Sequence, residues 1–164
     1  MHATDPRAER IERGLALARG GRPQAARRLL TMVWRQLSPI DDAPLRVDCA
    51  RTMACLQDDP HDRLCWCLRA VTAAEQVRQS YLAHCEVPLP LYGFYPTVLS
   101  DLAGAYRLVG DDDRAQACEQ LCGAEVAGIH RLGAVGLREM SAFASGRIAG
   151  RLGVPLPVQD PWAR

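Results

Sequence analysis

Apolar residues recur with helical spacing along most of the chain, and no segment alternates apolar and polar residues as a half-buried strand would. The clearest helix contains Leu99, Leu102 and Tyr106, which fall on one face at a period of 3.6 residues. Gly110 then marks a tight turn, and a second amphipathic helix follows with the small residue Ala115 where the two helices would touch. Because such a pair cannot bury its apolar stripe alone, we expect neighbouring helix pairs beside it.

Prolines, glycines and aspartates predict where the helices begin and end. Asp5 is a predicted N-cap with Pro6 at the first helical position, and the aspartate runs 58–62 and 111–113 also fall at predicted helix starts. The predicted helices run over 6–19, 23–37, from 43 to the turn at 58–60, over 61–84, from 97 to 129 around Gly110, and over 132–152.

One segment departs from this regularity. Glu86–Pro96 holds three prolines and the aromatic residues Tyr92, Phe94 and Tyr95, and it is predicted to be neither helix nor central strand. Its aromatic side chains either complete the core where the helix spacing changes or border a groove that holds a ligand. The last residues, 154–164, include three prolines and are predicted to be extended.

The best-patterned pair resembles the tetratricopeptide repeat, a helix–turn–helix unit of about 34 residues. The residues that carry the resemblance match the first helix, the turn and the small contact position of that family: Leu99, Leu102, Ala103, Tyr106, Gly110 and Ala115. An earlier copy keeps the same mutual spacing in Gly14, Leu17, Gly21, Ala26, Leu30 and Val33. A third copy lies between them, in Val47, Ala50, Ala54, Asp58, Arg63, Cys67 and Ala70.

The resemblance covers Arg7–Ala127 and implies an all-α architecture. We expect three antiparallel helix pairs, which would form a short, irregular tetratricopeptide-like solenoid closed by a C-terminal capping helix. The expected domain is 1–153, followed by the tail 154–164. In this family the first helices of the pairs line a groove that binds a peptide or a partner helix. The expected groove positions are Ile11, Leu15, Arg19, Asp48, Thr52, Cys55, Ser100, Gly104 and Arg107, with Tyr92, Phe94 and Tyr95 nearby.

Two residue types are absent from the chain, and their absence excludes several classes of enzyme and sequence motif. The chain has no lysine and no asparagine, and all 20 basic residues are arginine, as in a gene from a GC-rich genome. Without lysine there is no Schiff-base chemistry and no P-loop, and without asparagine there is no N-glycosylation site. The resemblance to the tetratricopeptide repeat implies a non-enzymatic protein-interaction module. Arginine that reflects genome composition does not predict a nucleic-acid partner.

Charge is unevenly distributed although the net charge is only +1. Residues 1–40 carry eight arginines against three acidic residues, whereas residues 70–129 carry three arginines against eight acidic residues. Ordinary solvated helix faces account for such a charge pattern. An uneven charge distribution can also orient helix pairs, copies of the chain in a homo-oligomer, or a charged ligand. Arg19 and Arg107 at aligned groove positions favour an acidic partner.

The seven cysteines are odd in number and lie on predicted helices, so we expect reduced thiols in a cytoplasmic protein. Cys118 and Cys122 share a helix face, and His130 follows at a spacing that a metal would accept. No fourth metal ligand is indicated, so we predict no bound metal and no cofactor. The sequence also holds no apolar run of the ~18 residues that a membrane-spanning helix needs. Two alternatives stay open: a thiol-rich metal- or haem-binding protein, and a helical accessory domain for a transcription regulator or a biosynthetic enzyme.

Overall fold

The structure, a computed structural model, describes residues 5–84 and 94–131, and its described side chains are those of 5–79 and 94–127. This part of the chain is all-α, as expected. Its six helices are α1 (Pro6–Arg19), α2 (Pro23–Gln36), α3 (Ala43–Cys55), α4 (Pro60–His84), α5 (Phe94–Leu108) and α6 (Asp112–Arg131). They pack as adjacent pairs, α1 with α2, α3 with α4, and α5 with α6. The helix expected over 132–152 and the tail 154–164 lie outside the described residues.

Aspartate side chains cap the helix starts, as the sequence predicts. Asp5 accepts a hydrogen bond from the backbone N–H of Arg7 at 2.8 Å. Asp59 Oδ1 accepts from the N–H groups of His61 and Asp62, and Asp111 Oδ1 accepts from the N–H of Arg114. Each bond satisfies an N–H that has no partner inside its helix.

The first and third pairs share one kind of turn. Gly21 and Gly110 have φ angles of +72° and +80°, a region that only glycine adopts without steric cost. In both turns the residue after the glycine donates its N–H to a carbonyl five residues back, and the glycine donates to one three residues back. These are the two bonds of the Schellman motif, so both helices end through local backbone geometry.

Small residues allow close helix contact in the same two pairs. A Cβ atom built on Gly14 of α1 would come within 2.8 Å of the Leu30 side chain of α2. Ala26 and Ala115, the expected small contact positions, are fully buried. A larger side chain at any of these positions would force the two helices apart.

The turn between α3 and α4 is built differently, from side chains. Arg27 of α2 donates from Nε to the carbonyl of Leu56 at 2.8 Å, and Arg63 donates from Nε to the carbonyl of Ala54 at 3.2 Å. Gln57 donates from its amide to the carbonyl of Met53 at 2.8 Å. These side chains add to the backbone N–H groups of Leu56 and Gln57, which donate to the carbonyls of Met53 and Ala54.

The buried core consists of three clusters that follow the helix order. One joins α1, α2 and α3, one joins α3 with α4 and the start of α5, and one lies between α4 and α5. Trp66 of α4 packs against all three clusters, and Trp34 of α2 packs against the first two. The core is thus continuous from the first pair to the third.

The start of α5 corrects one expectation. The sequence predicts irregular structure up to Pro96, but α5 begins at Phe94 and includes Pro96 in its first turn. Proline is tolerated there because the N–H groups of a first helical turn have no intrahelical acceptor. Pro96 is also buried, which adds apolar contact at this end of the helix.

Candidate functional site

The first helices of the three pairs, α1, α3 and α5, lie side by side. Helix α1 packs against α3, and α3 is linked to α5 by an ion pair between Arg51 Nε and Asp101 Oδ2 at 2.7 Å. The Arg51 side chain is only 10% exposed, so this pair lies at the contact between the two helices. We refer to the surface formed by these three helices as the α1/α3/α5 face.

Helix α5 presents an exposed stripe on this face. Ser100, Gly104 and Arg107, all predicted site residues, are exposed and follow one another at helical spacing, whereas Leu99, Leu102 and Ala103 of the same helix are buried. A Cβ atom built on Gly104 would meet no other heavy atom within 4 Å. The surface above Gly104 is therefore open, and a second backbone could approach it closely.

Arg107 is exposed but already paired. Its Nη2 donates a hydrogen bond to Glu119 Oε1 of α6, and about half of each side chain remains in contact with solvent. The hydrogen bond to Glu119 raises the pKa of Arg107 above its ordinary value. Exposed ion pairs of this kind contribute about 0–1 kcal/mol, so a competing carboxylate could replace Glu119.

The predicted residues of α3 are more enclosed than those of α5. Asp48 is half-buried and Cys55 is exposed. Thr52 is only 5% exposed, and its hydroxyl donates to the carbonyl of Asp48 at 2.8 Å. This corrects the expectation that Thr52 is presented to a partner, because its polar atom is satisfied inside α3.

Helix α1 contributes fewer surface positions than expected. Ile11 is a core residue with 2% exposure, packed with α2 and α3, so its predicted position in a groove is corrected. Leu15 is half-buried, and Arg19 is exposed in the last turn. Arg19 and Arg107 are therefore the two predicted arginines that reach solvent on the α1/α3/α5 face.

Two of the three predicted aromatic residues belong to the core. Phe94 and Tyr95 are half-buried and pack against the cluster of α3, α4 and α5. The guanidinium of Arg78 lies 5.3 Å from the Tyr95 ring centroid, and burial raises the pKa of Tyr95. Tyr92 lies outside the described residues. Of the two alternatives for this segment, completion of the core describes Phe94 and Tyr95.

The cysteine positions considered for a metal are partly enclosed. Cys118 and Cys122 are half-buried, burial raises the pKa of both thiols, and Cys122 Sγ lies 3.3 Å from the carbonyl oxygen of Pro96. The side chain of His130 lies outside the described residues. Within the described residues no group of three or more His, Cys, Asp or Glu side chains is placed to hold a metal ion.

Sequence reasoning missed an aromatic and arginine cluster formed by α2, α3 and α4. Trp34 of α2 and Trp66 of α4 meet edge to face, and Arg46 and Arg69 each lie over one of the two indole rings. No local spacing signals this cluster, because its two tryptophans come from different helix pairs. We refer to it as the Trp–Arg cluster.

Comparison with known proteins gives no match to a family model, to a characterised protein or to a solved structure. Among the described helices, none has an apolar stretch long enough to cross a membrane. What the structure supports is an all-helical protein with paired helices, and its function is argued from the surface chemistry.

Proposed function

We propose that the protein is a non-enzymatic interaction module that binds an acidic peptide or partner helix on the α1/α3/α5 face. The observation that carries this proposal is the α5 stripe of Ser100, Gly104 and Arg107. The stripe combines the hydrogen-bonding groups of Ser100 and Arg107 with open space above Gly104. Such a surface suits an elongated partner, because a second chain can approach the backbone closely there.

The finer architecture belongs to the same proposal. We take the three pairs to form a short, irregular solenoid similar to the tetratricopeptide repeat. The positive φ angles of Gly21 and Gly110 and the burial of Ala26 and Ala115 support this, since they fall at the turn and contact positions of the repeat. In such an array the first helices form one continuous surface. The six cysteines within the described residues are free thiols, which fits a reducing compartment such as the cytoplasm.

The charge of the partner follows from the two exposed arginines. Arg19 and Arg107 bring guanidinium groups to the face, and a guanidinium binds carboxylate through two parallel hydrogen bonds. Because Glu119 already holds Arg107, an acidic partner must exchange one carboxylate for another at this position. Glu119 should therefore weaken the binding of an acidic partner.

If this exchange occurs, substitutions at Arg107 and at Glu119 should change the affinity for an acidic peptide in opposite directions. A library of random peptides is selected on the immobilised protein, and the affinity of an enriched acidic peptide is measured by calorimetry. Arg107→Ala should weaken binding about tenfold, because a charge-assisted contact contributes about 1.5 kcal/mol or more. Glu119→Gln should strengthen binding a few-fold, since it removes a competitor worth up to about 1 kcal/mol.

Arg28→Ala is the matched control, because Arg28 is an exposed arginine of α2 and lies away from this face. It should leave the affinity unchanged. Equal affinities for the parent, Arg107→Ala and Glu119→Gln would exclude the α5 stripe as the binding site. Enrichment of basic or uncharged peptides would exclude the acidic partner.

A further inference from the structure

The Trp–Arg cluster is an ordered arrangement of four side chains from α2, α3 and α4. The Arg46 guanidinium carbon lies 3.9 Å from the Trp34 ring centroid, and that of Arg69 lies 4.3 Å from the Trp66 centroid. The two indole rings are 5.2 Å apart with an interplanar angle of 82°. Each ring therefore has a guanidinium over one face, and the rings contact each other edge to face.

The tryptophans hold this arrangement in place. Both are half-buried, and both pack against the cluster of α1, α2 and α3 and the cluster of α3, α4 and α5. Side chains packed in this way occupy fixed rotamers. The guanidinium groups on them are consequently better positioned than an arginine on an open helix surface would be.

The two arginines differ in what their N–H groups do. Arg46 Nη1 donates to the carbonyl of Leu37 at 3.0 Å, so Arg46 satisfies the end of α2. Arg69 is exposed, and its guanidinium has no hydrogen-bond acceptor and no ion-pair partner in the part of the chain that the structure describes. A guanidinium that stacks by its face keeps its N–H edge available for a planar acid.

The charge around the cluster favours an anion. Arg35 directly follows Trp34 in α2, is exposed, and pairs with no carboxylate of residues 5–79 or 94–127. Asp62 lies two turns before Arg69 on the same side of α4, so the surface is basic but not uniformly so. A nucleic acid needs many phosphate contacts, which a chain of net charge +1 with an acidic stretch over 70–129 does not favour. A peptide with a few carboxylates fits better.

We infer that the surface between α2 and α4 is a second docking site, which binds a carboxylate-rich peptide segment through the guanidinium of Arg69 held on Trp66. Arg69 and Trp66 lie on α4, which is not one of the helices of the α1/α3/α5 face, and the inference does not depend on the function proposed for that face. The stacked geometry is already present without the partner, so little side-chain freedom is lost when the peptide binds.

The tryptophans provide a reporter at the site itself. The full chain carrying Trp162→Phe retains Trp34 and Trp66 as its only tryptophans. It is titrated with a synthetic glutamate-rich peptide and, as the matched control, with a glutamine-rich peptide of the same length. We expect a saturable change in tryptophan emission with the glutamate peptide and none with the glutamine peptide.

Two variants then test the role of Arg69, with affinities measured by the same tryptophan titration and folding checked by circular dichroism. Arg69→Ala should weaken binding of the glutamate peptide about tenfold, the loss of one charge-assisted contact. Arg69→Lys retains the charge but loses the planar fork and should weaken binding by a smaller factor. If Arg69→Ala fails to fold, the Arg69→Lys result decides alone.

Arg13→Ala, which changes an exposed arginine of α1, a helix that contributes no residue to the cluster, should leave the fluorescence titration unchanged. The inference is overturned if the glutamate peptide causes no saturable change, or if Arg69→Lys binds it as the parent does. A response to single-stranded DNA without a response to the glutamate peptide would also overturn it, in favour of a nucleic-acid surface.

Discussion

The turns of the outer helix pairs and the turn of the middle pair satisfy the last carbonyl groups of their first helices in different ways. At Gly21 and Gly110 the backbone enters the left-handed region, and its own N–H groups satisfy the last carbonyls of the helix. At the end of α3, Leu56 has a φ of −94°, and the side chains of Arg27, Gln57 and Arg63 donate to the carbonyls of Leu56, Met53 and Ala54 in addition to the backbone N–H groups of Leu56 and Gln57. The outer turns use backbone groups alone, whereas the middle turn adds side chains.

This difference in hydrogen bonding determines whether a turn can connect one helix pair to another. A glycine turn involves only its own pair, whereas Arg27 belongs to α2 and binds a carbonyl 29 residues away, at the end of α3. The middle turn therefore connects the first pair to the second. Asp58 and Arg63 stand where the two outer pairs have a glycine and a buried alanine, and Arg27 also pairs with Asp58.

The largest expected effect comes from removing both arginine caps. Arg27→Met together with Arg63→Met should lower the free energy of unfolding by about 2–4 kcal/mol, because acceptors near the helix contact lose their donors. Urea denaturation measures the change. The control is Arg28→Met, an exposed neighbour on α2, which should stay within about 0.5 kcal/mol of the parent. A double variant as stable as this control would show that the caps contribute nothing.

The helix contact of the third pair should be nearly as sensitive. Ala115→Leu adds a side chain where Ala115 is 1% exposed, and overpacking should lower the free energy of unfolding by about 1–3 kcal/mol. Ala117→Leu places the same side chain on an exposed position of α6 and should change little. If the two variants denature at the same urea concentration, α6 does not face α5 through Ala115.

A smaller effect compares the two kinds of turn directly. Gly110→Ala should lower the free energy of unfolding by about 1–2 kcal/mol, because an alanine Cβ is strained at positive φ. Asp58→Ala, at the corresponding position of the middle turn, should cost less than about 1 kcal/mol, since the Asp58 side chain is 93% exposed. The reverse order of the two losses, read from urea denaturation, would contradict the assignment of these turns.

The thiols should show the smallest effect, a difference in reactivity without a change in stability. Burial raises the pKa of Cys49 and of Cys67 to about 12, so neither forms much thiolate at neutral pH. Cys65 is exposed on α4 and should react with iodoacetamide first, as followed by mass spectrometry of the native protein. Equal labelling rates for Cys49 and Cys65 would show that the α2–α3 contact is open.

The features that the sequence predicts are those that depend on neighbours in the chain. Helix ends followed from Pro6, Asp59 and Gly110, because a proline, a cap or a left-handed glycine acts within a few residues. The start of α5 was wrong by one turn, since proline is compatible with both a loop and a first helical turn.

The candidate site was predictable only in part, for the same reason. The resemblance to the tetratricopeptide repeat pointed to Ser100, Gly104 and Arg107, which are exposed, but the burial of Ile11 and Thr52 depends on how α1 and α3 pack with other helices. The Trp–Arg cluster and the cap from Arg27 were not predicted at all. They join residues of different pairs, and no local pattern encodes such a contact.

Amide hydrogen exchange of the parent and of Arg27→Met tests most directly the claim that the middle turn connects the first two pairs. Although the substitution lies on α2, the account predicts faster exchange at residues 55–63, where α3 ends and α4 begins. Exchange at the Gly110 turn should not change, because that turn is held by its own backbone. Faster exchange confined to residues 23–36 would contradict the account.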